Sequence, residues 1–257
     1  QVVNERSGFV NSCYNALQVR AEKRFSQGVT LLASYTLGKW IDYASWYDDT
    51  SNFADQRNVR LDRGLGEQDQ RQVVALSWVW EPRLFAGTTG LGRALLDGWA
   101  INGIASFYGG QPLRMRSGRD NDFDGYPNGD RPDVIGDWKL SPSRSRDEVI
   151  LAWFNPRAFA ANQPGQVGNL GRNVVIGPGF KGFDLGVSRN VRIREGHQLQ
   201  FRAEAFNAFN WVNLGDPGTD LTRATYGRIT STTVSTTAQT TVSRDARIFQ
   251  FGLKYVF

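Results

Sequence analysis

The residues best suited to chemistry in this 257-residue chain are the acids of Asp120-Asn121-Asp122-Phe123-Asp124-Gly125. Carboxylates at alternate positions, followed by a glycine that permits a tight turn, are what the start of a calcium loop needs. The bidentate acid expected at the twelfth position is instead Arg131, so the run is not a complete EF-hand loop. Asp130 or Asp133 would have to close a site of another geometry. Asp120, Asp122, Asp124 and Asp130 are therefore candidate calcium ligands, and calcium is the one candidate cofactor. The competing reading is that Asp, Asn and Gly simply populate an exposed turn.

Other constellations point away from catalysis. Gly177-Pro178-Gly179-Phe180-Lys181-Gly182 spells G-x-G-x-x-G, but a dinucleotide fingerprint opens a helix, whereas Phe183 to Val187 alternate as a strand. These glycines are expected to shape a loop entering a sheet. His197, the only histidine, stands beside Gly196 in a predicted turn, with Cys13 expected at the opposite end of its strand, so no triad or histidine metal site forms. Glu22 and Glu204 would mimic a hydrolase's paired carboxylates, yet Arg20 and Arg24 flank the first and Arg202 the second at two-residue spacing. Ion-pair ladders explain that pattern better, and we expect no enzyme active site. A net charge of +5 is spread over basic residues interleaved with acids, which argues against a nucleic-acid stripe.

The elements that position these residues read as strands. No stretch approaches the ~20 consecutive apolar residues of a membrane helix, and the apolar residues alternate instead. Leu17, Val19, Ala21 and Phe25 oppose Gln18, Arg20, Glu22 and Arg24. After a turn at Ser26-Gln27-Gly28, Val29 to Leu37 continue the apolar face and complete a hairpin. A third strand carries Val74, Leu76, Trp78 and Trp80, and a fourth carries Trp99 to Phe107, running on towards Met115. Residues 117 to 180 show no sustained period. A fifth strand spans Phe183 to Ile193, a sixth holds Leu199 to Ala205, and a Thr/Ser-rich loop over residues 211 to 245 precedes the last.

That last strand, Gln250 to Phe257, places Phe249, Phe251, Leu253, Tyr255 and Phe257 on one side and Gln250, Gly252 and Lys254 on the other. One side suits lipid and the other a wet lumen. The pattern Gln250, Gly252, Tyr255, Phe257 resembles the C-terminal signal by which bacterial outer-membrane proteins are recognised for assembly. Connections alternate short, long, moderate, long, short, long, as do the periplasmic turns and external loops of such barrels. Trp40, Tyr43, Trp46 and Tyr47 are expected at the outer aromatic girdle. Arg20, Glu22, Arg24, Arg202 and Glu204 are the expected lumen-facing charges. The fold class predicted is all-β: an antiparallel transmembrane β-barrel segment of about seven strands. An odd count makes residues 1–257 the expected C-terminal part of a larger barrel, with neither plug domain nor signal peptide inside it.

These stretches also resemble a family. SYTLGKWID at 34–42, LDRGLGEQDQRQVVALSWVWEP at 61–82, GWAINGIASFYGGQPL at 98–113, GDRPDVIG at 129–136 and FNPRAFA at 154–160 carry the likeness. It continues through GNLGRNVVIGPGFKGFDLGVSRNVRI at 168–193 and LQFRAEAFNAFNWVNLGDP at 199–217. In this order they are similar to the C-terminal barrel region of TonB-dependent outer-membrane receptors of the Oar-like group, which bear a carboxypeptidase-regulatory-like domain. The resemblance implies a bacterial outer-membrane location and lipid and barrel-assembly-machinery partners. It also implies a TonB-type partner reached through a missing N-terminal part, and uptake or binding of an external ligand. Two alternatives stay open: a non-transporting adhesin or structural protein, and a soluble secreted calcium-binding β-domain.

Overall fold

The computed structural model describes residues 11–26, 28–45, 53–55, 57–82, 98–125, 129–237, 240–243 and 246–257. Seven long strands form one antiparallel sheet in chain order: β1 (Cys13–Ser26), β2 (Val29–Asp42), β3 (Gln72–Trp80), β4 (Trp99–Tyr108), β5 (Phe180–Arg194), β6 (His197–Phe206) and β7 (Ile248–Val256). The two-residue strand Gly64–Leu65 adds to β2 as the eighth member. A meander of this kind needs only local connections, which is why the period-two reading of each strand also sets its neighbours. Among the described residues β1 and β7 each have one unpaired edge, and the sheet does not close.

Register carries one apolar face across all seven strands. Leu17 pairs with Leu37, Ala33 with Leu76, Trp78 with Gly103, Val187 with Ile101 and Ala203, and Phe201 with Leu253. The other face holds Arg20, Ser34, Ala75, Ser106, Asp184, Glu204 and Gln250. The apolar face is not a hidden core: Leu17, Phe201, Phe251 and Leu253 are all exposed. A predominantly apolar face of this breadth, with large side chains exposed on its outer strands, demands a non-aqueous neighbour.

Two boundaries differ from the sequence reading. β4 stops at Tyr108 and does not reach Met115. Gly109-Gly110 turns the chain out of the sheet so that Pro112–Leu113 pairs with Val175–Ile176; a Cβ on Gly110 would lie 1.8 Å from the carbonyl oxygen of Gly177. β5 begins at Phe180, three residues before the first strictly alternating apolar residue, because Phe180 and Lys181 already pair with Tyr108 and Phe107.

The long connections all lie at one end of the sheet, and they fold. Residues 109–179 hold two short ladders, a helix α1 (Arg146–Leu151) with a Ser145/Glu148 capping box, and a buried cluster of Leu113, Met115, Phe154, Ala158, Phe159, Leu170 and Val175. Leu221 and Tyr226 of the last connection pack on that cluster. The rings of Phe154, Phe159 and Tyr226 meet edge to face at 5.2–6.2 Å. The aperiodic stretch is thus a small cap with its own core.

Candidate functional site

The cap is stitched to itself by polar contacts that no periodicity signals. Arg131 Nη1 donates to Asp62 Oδ1 at 2.9 Å, and both side chains are buried. Burial pushes the Asp62 carboxyl up and the Arg131 guanidinium down from their ordinary values, while each partner pulls the other back. Arg172 reaches Asp42 at the end of β2 and Ser45 Oγ, and Asn173 Nδ2 donates to the Leu65 carbonyl at 2.7 Å. Backbone bonds Arg116 N–H to Thr219 O at 3.0 Å and Trp153 N–H to Gly227 O at 2.7 Å join the β4–β5 connection to the last. Arg131, the residue that spoils the EF-hand pattern, therefore serves a different end and locks two connections together.

The acidic run is assembled, though not as spaced in sequence. Asp120, Asp122 and Asp130 each offer a carboxylate oxygen within 4.8 Å of the others. Asp124 falls outside this group; its N–H donates to Asp122 Oδ1 at 3.1 Å, and Asp130 takes its place. Asp133 pairs along the Phe159–Ala160 ladder and accepts from Asn169 N–H at 2.9 Å. Asp130 is buried and accepts from Asn121 N–H at 2.6 Å and from Asn162 Nδ2 at 3.4 Å. Gly125 N–H donates to Asp120 Oδ2 at 3.1 Å, whereas Asp120 Oδ1 is buried without a hydrogen-bond partner. Phe123 and Gly125, at φ of 65° and 87°, fold the run back on itself. Desolvation, with Asp130 and Asp124 alongside, pushes Asp122 up to about 7. Three hard oxygens around one point suit a proton shared among them or a calcium-type cation.

Below the cap, the non-apolar face of the sheet opens into a cleft of about 680 Å³ lined by Ser106, Tyr108, Phe180, Leu214, Asp216 and Ser231 among others. The rings of Tyr108 and Phe180 stack at 5.5 Å. Burial raises the Asp216 carboxyl above its usual range. Ser106 and Phe180 also line a neighbouring cavity of about 380 Å³ that includes Ile104, Asp184 and Gln250. Sequence reading missed this cleft, because its walls come from strand residues and from three connections that showed no period.

Glu22 bridges Arg20 at 3.0 Å and Arg24 at 3.1 Å on the non-apolar face of β1. Arg202 and Glu204 share that face on β6, opposite Gly252 and Gln250. His197 is not a free turn residue: it opens β6, and its Nδ1 lies 2.5 Å from the Tyr255 hydroxyl. Cys13 is exposed at the other end of the sheet. Gly177 and Gly179 lead into strand β5, so the helix that a dinucleotide site requires is replaced by sheet. Trp40 departs from the girdle expectation, since it pairs with Tyr14 on the non-apolar face and donates from Nε1 to Ser12 Oγ at 2.6 Å. Trp46 and Tyr47 lie outside the described residues. Of the terminal pattern, Gln250 and Gly252 face away from lipid, while Tyr255 pairs with Leu199 on the apolar face and stacks on Phe257.

No curated protein and no solved structure matches this chain. A family model does, described as an outer membrane beta barrel domain, over residues 1–250. With nearly the whole chain covered, and with one predominantly apolar face in register across seven antiparallel strands, the protein belongs to the outer membrane beta barrel domain family and resides in the bacterial outer membrane.

Proposed function

We propose that this chain is the C-terminal barrel region of a TonB-dependent, Oar-like outer-membrane receptor that captures an external ligand and passes it inward without covalent chemistry. The observation that carries this reading is the cap: two connections at one end of the sheet share a core, a buried ion pair ties a third to them, and together they roof a cleft on the non-apolar face. A surface that only had to remain soluble has no need of such order. The residue-by-residue likeness to the Oar-like group, in order from 34 to 217, supports the same assignment. In this reading the cap faces outward, the non-apolar face lines the lumen, and β7 carries the signal to the assembly machinery. The Asp120, Asp122 and Asp130 cluster supports calcium as a structural ion holding residues 120–130 in place.

The test uses cells that produce the intact polypeptide and cells that lack it. Solutes removed from the medium are compared by mass spectrometry, with and without an uncoupler. Energy-dependent removal of a solute, lost on deletion and reduced by Tyr108→Ala in the cleft, is expected. Retention that ignores the uncoupler would favour a non-transporting surface protein.

A further inference from the structure

The lining of the cleft under the cap selects ligands by charge and by polarity. Among the described residues that line it, Asp216 carries the only ionisable group besides the Tyr108 phenol. Its other polar side chains are neutral hydroxyls and amides, from Gln70, Ser106, Gln111, Ser231, Thr232 and Thr233. Partial burial is the one influence on the Asp216 carboxyl, with no cation among the described residues drawing it back down. Lys181, in the wall of the adjoining cavity, is in register with the opposite, apolar face. An anion entering the cleft meets a carboxylate with nothing to offset it, whereas an ammonium balances the charge.

Local packing seats these groups. A Cβ on Gly177 would lie 2.6 Å from Asp216 Oδ1, and one on Gly215 would lie 2.5 Å from Ser231 Oγ. Both glycines thus leave room for a polar atom at the wall. Thr233 Oγ1 donates to the Leu214 carbonyl at 2.7 Å, so towards a ligand it acts only as an acceptor. Tyr108 and Phe180 face each other across β4 and β5, and their rings stack at 5.5 Å as an aromatic platform on the same cleft. Such a platform attracts cations and packs against the flat faces of rings. A volume of about 680 Å³ falls in the small-molecule range of about 300–1,000 Å³.

An aliphatic amine would pair with Asp216 but leave the hydroxyls and amides unanswered, and a neutral sugar would do the reverse. An amino sugar answers both and brings a ring for the platform. We propose, on the basis of the cleft's role in ligand capture, that it binds amino sugars. The protonated amine sits on the Asp216 carboxylate, the sugar ring lies against Tyr108 and Phe180, and ring hydroxyls meet Ser106, Gln111 and Ser231.

In the experiment the intact polypeptide, extracted from outer membranes in neutral detergent, is titrated calorimetrically with the β-1,4-linked trimer of glucosamine. The same trimer fully N-acetylated removes the charge and keeps the rings; spermidine keeps charge and removes rings and hydroxyls. We expect the free-amine trimer to bind at least about tenfold more tightly than either. Asp216→Asn should weaken the free-amine trimer about tenfold and leave the N-acetylated one nearly unchanged. Phe180→Leu, which keeps the carboxylate, should weaken both trimers several-fold. The comparison of ligands needs only the wild-type protein, so it decides even where a variant fails to fold. No binding of the free-amine trimer, or equal binding by the N-acetylated trimer or spermidine, would overturn the amino-sugar proposal. Energy-dependent uptake of another solute, reduced by Tyr108→Ala, would then leave ligand capture standing. Amine-trimer binding without energy-dependent uptake would instead remove transport and keep the amino-sugar site.

Discussion

Arg131 Nη1 meets Asp62 Oδ1 at 2.9 Å across 69 positions of sequence, and the pair is buried inside a connection region. A buried ion pair is held in place by the cost of separating it more than by the gain in forming it. Arg131→Met alone leaves Asp62 without its partner and should loosen the cap by about 3–5 kcal/mol. Hydrogen exchange over residues 57–65 reports the change, while exchange in β2 and β3 should stay near wild type. Adding Asp62→Leu should recover most of the loss. Unchanged exchange in the single variant would mean that the pair does not hold the connections together.

Leu31 and Phe201 are in register with the apolar face, and Thr30 and Gln200 with the other. Replacing Leu31 or Phe201 by Arg should cost about 2–4 kcal/mol near the middle of the bilayer and less towards its borders. The same change at Thr30 or Gln200 should cost far less. Folding yield into lipid vesicles measures both, and equal losses would reverse the assignment of faces.

The Asp122 carboxyl, pushed up to about 7 by desolvation and by Asp130 and Asp124, binds its proton more tightly folded than unfolded. The stability this contributes is complete below about 4, the ordinary carboxylate value, and is lost as pH rises through about 7. Calcium must displace that proton. Added calcium should therefore raise the melting temperature of the cap more at pH 8 than at pH 5, and Asp122→Asn should abolish the difference. An identical calcium response at both pH values would remove the cluster from consideration as a cation site.

Phe154 is buried and edge-on to both Phe159 and Tyr226. Phe154→Ala should cost the cap about 3–5 kcal/mol through lost burial and the cavity left behind. Limited proteolysis of residues 109–179 should then accelerate with the sheet intact. Cutting at the wild-type rate would mean that the cluster contributes little to holding the cap.

The sheet was legible because each strand obeys a period of two and each neighbour follows in chain order, so Leu31, Trp78 and Phe201 could be placed on one face from spacing alone. The Arg20–Glu22–Arg24 ladder was legible for the same reason. The cap was not. Leu113, Phe154, Leu170 and Tyr226 come from ladders of two residues and from isolated turns, too short to establish a repeat. The acid cluster was half legible: local spacing pointed to Asp120 and Asp122, but Asp124 stands outside the group and Asp130 joins it through a fold-back at Phe123 and Gly125. Trp40 was misplaced because its nearness to the strand end suggested a girdle, although the period of two counted from Leu37 already sets it on the face it shares with Tyr14.

The cap's core draws Leu113 and Phe154 from before β5 and Tyr226 from after β6, so two connections, each joining a pair of membrane-crossing strands, end in one knot of side chains. Those segments can cross a bilayer only while the side chains are apart, since a packed core is far wider than a single strand. Once the core has gathered, drawing back any one crossing would require the whole cluster to come undone. The cap thus works as a mechanical catch: it makes insertion a one-way event, whose reversal is limited by the rate at which a small globular core unfolds and not by the strength of any single strand's pairing.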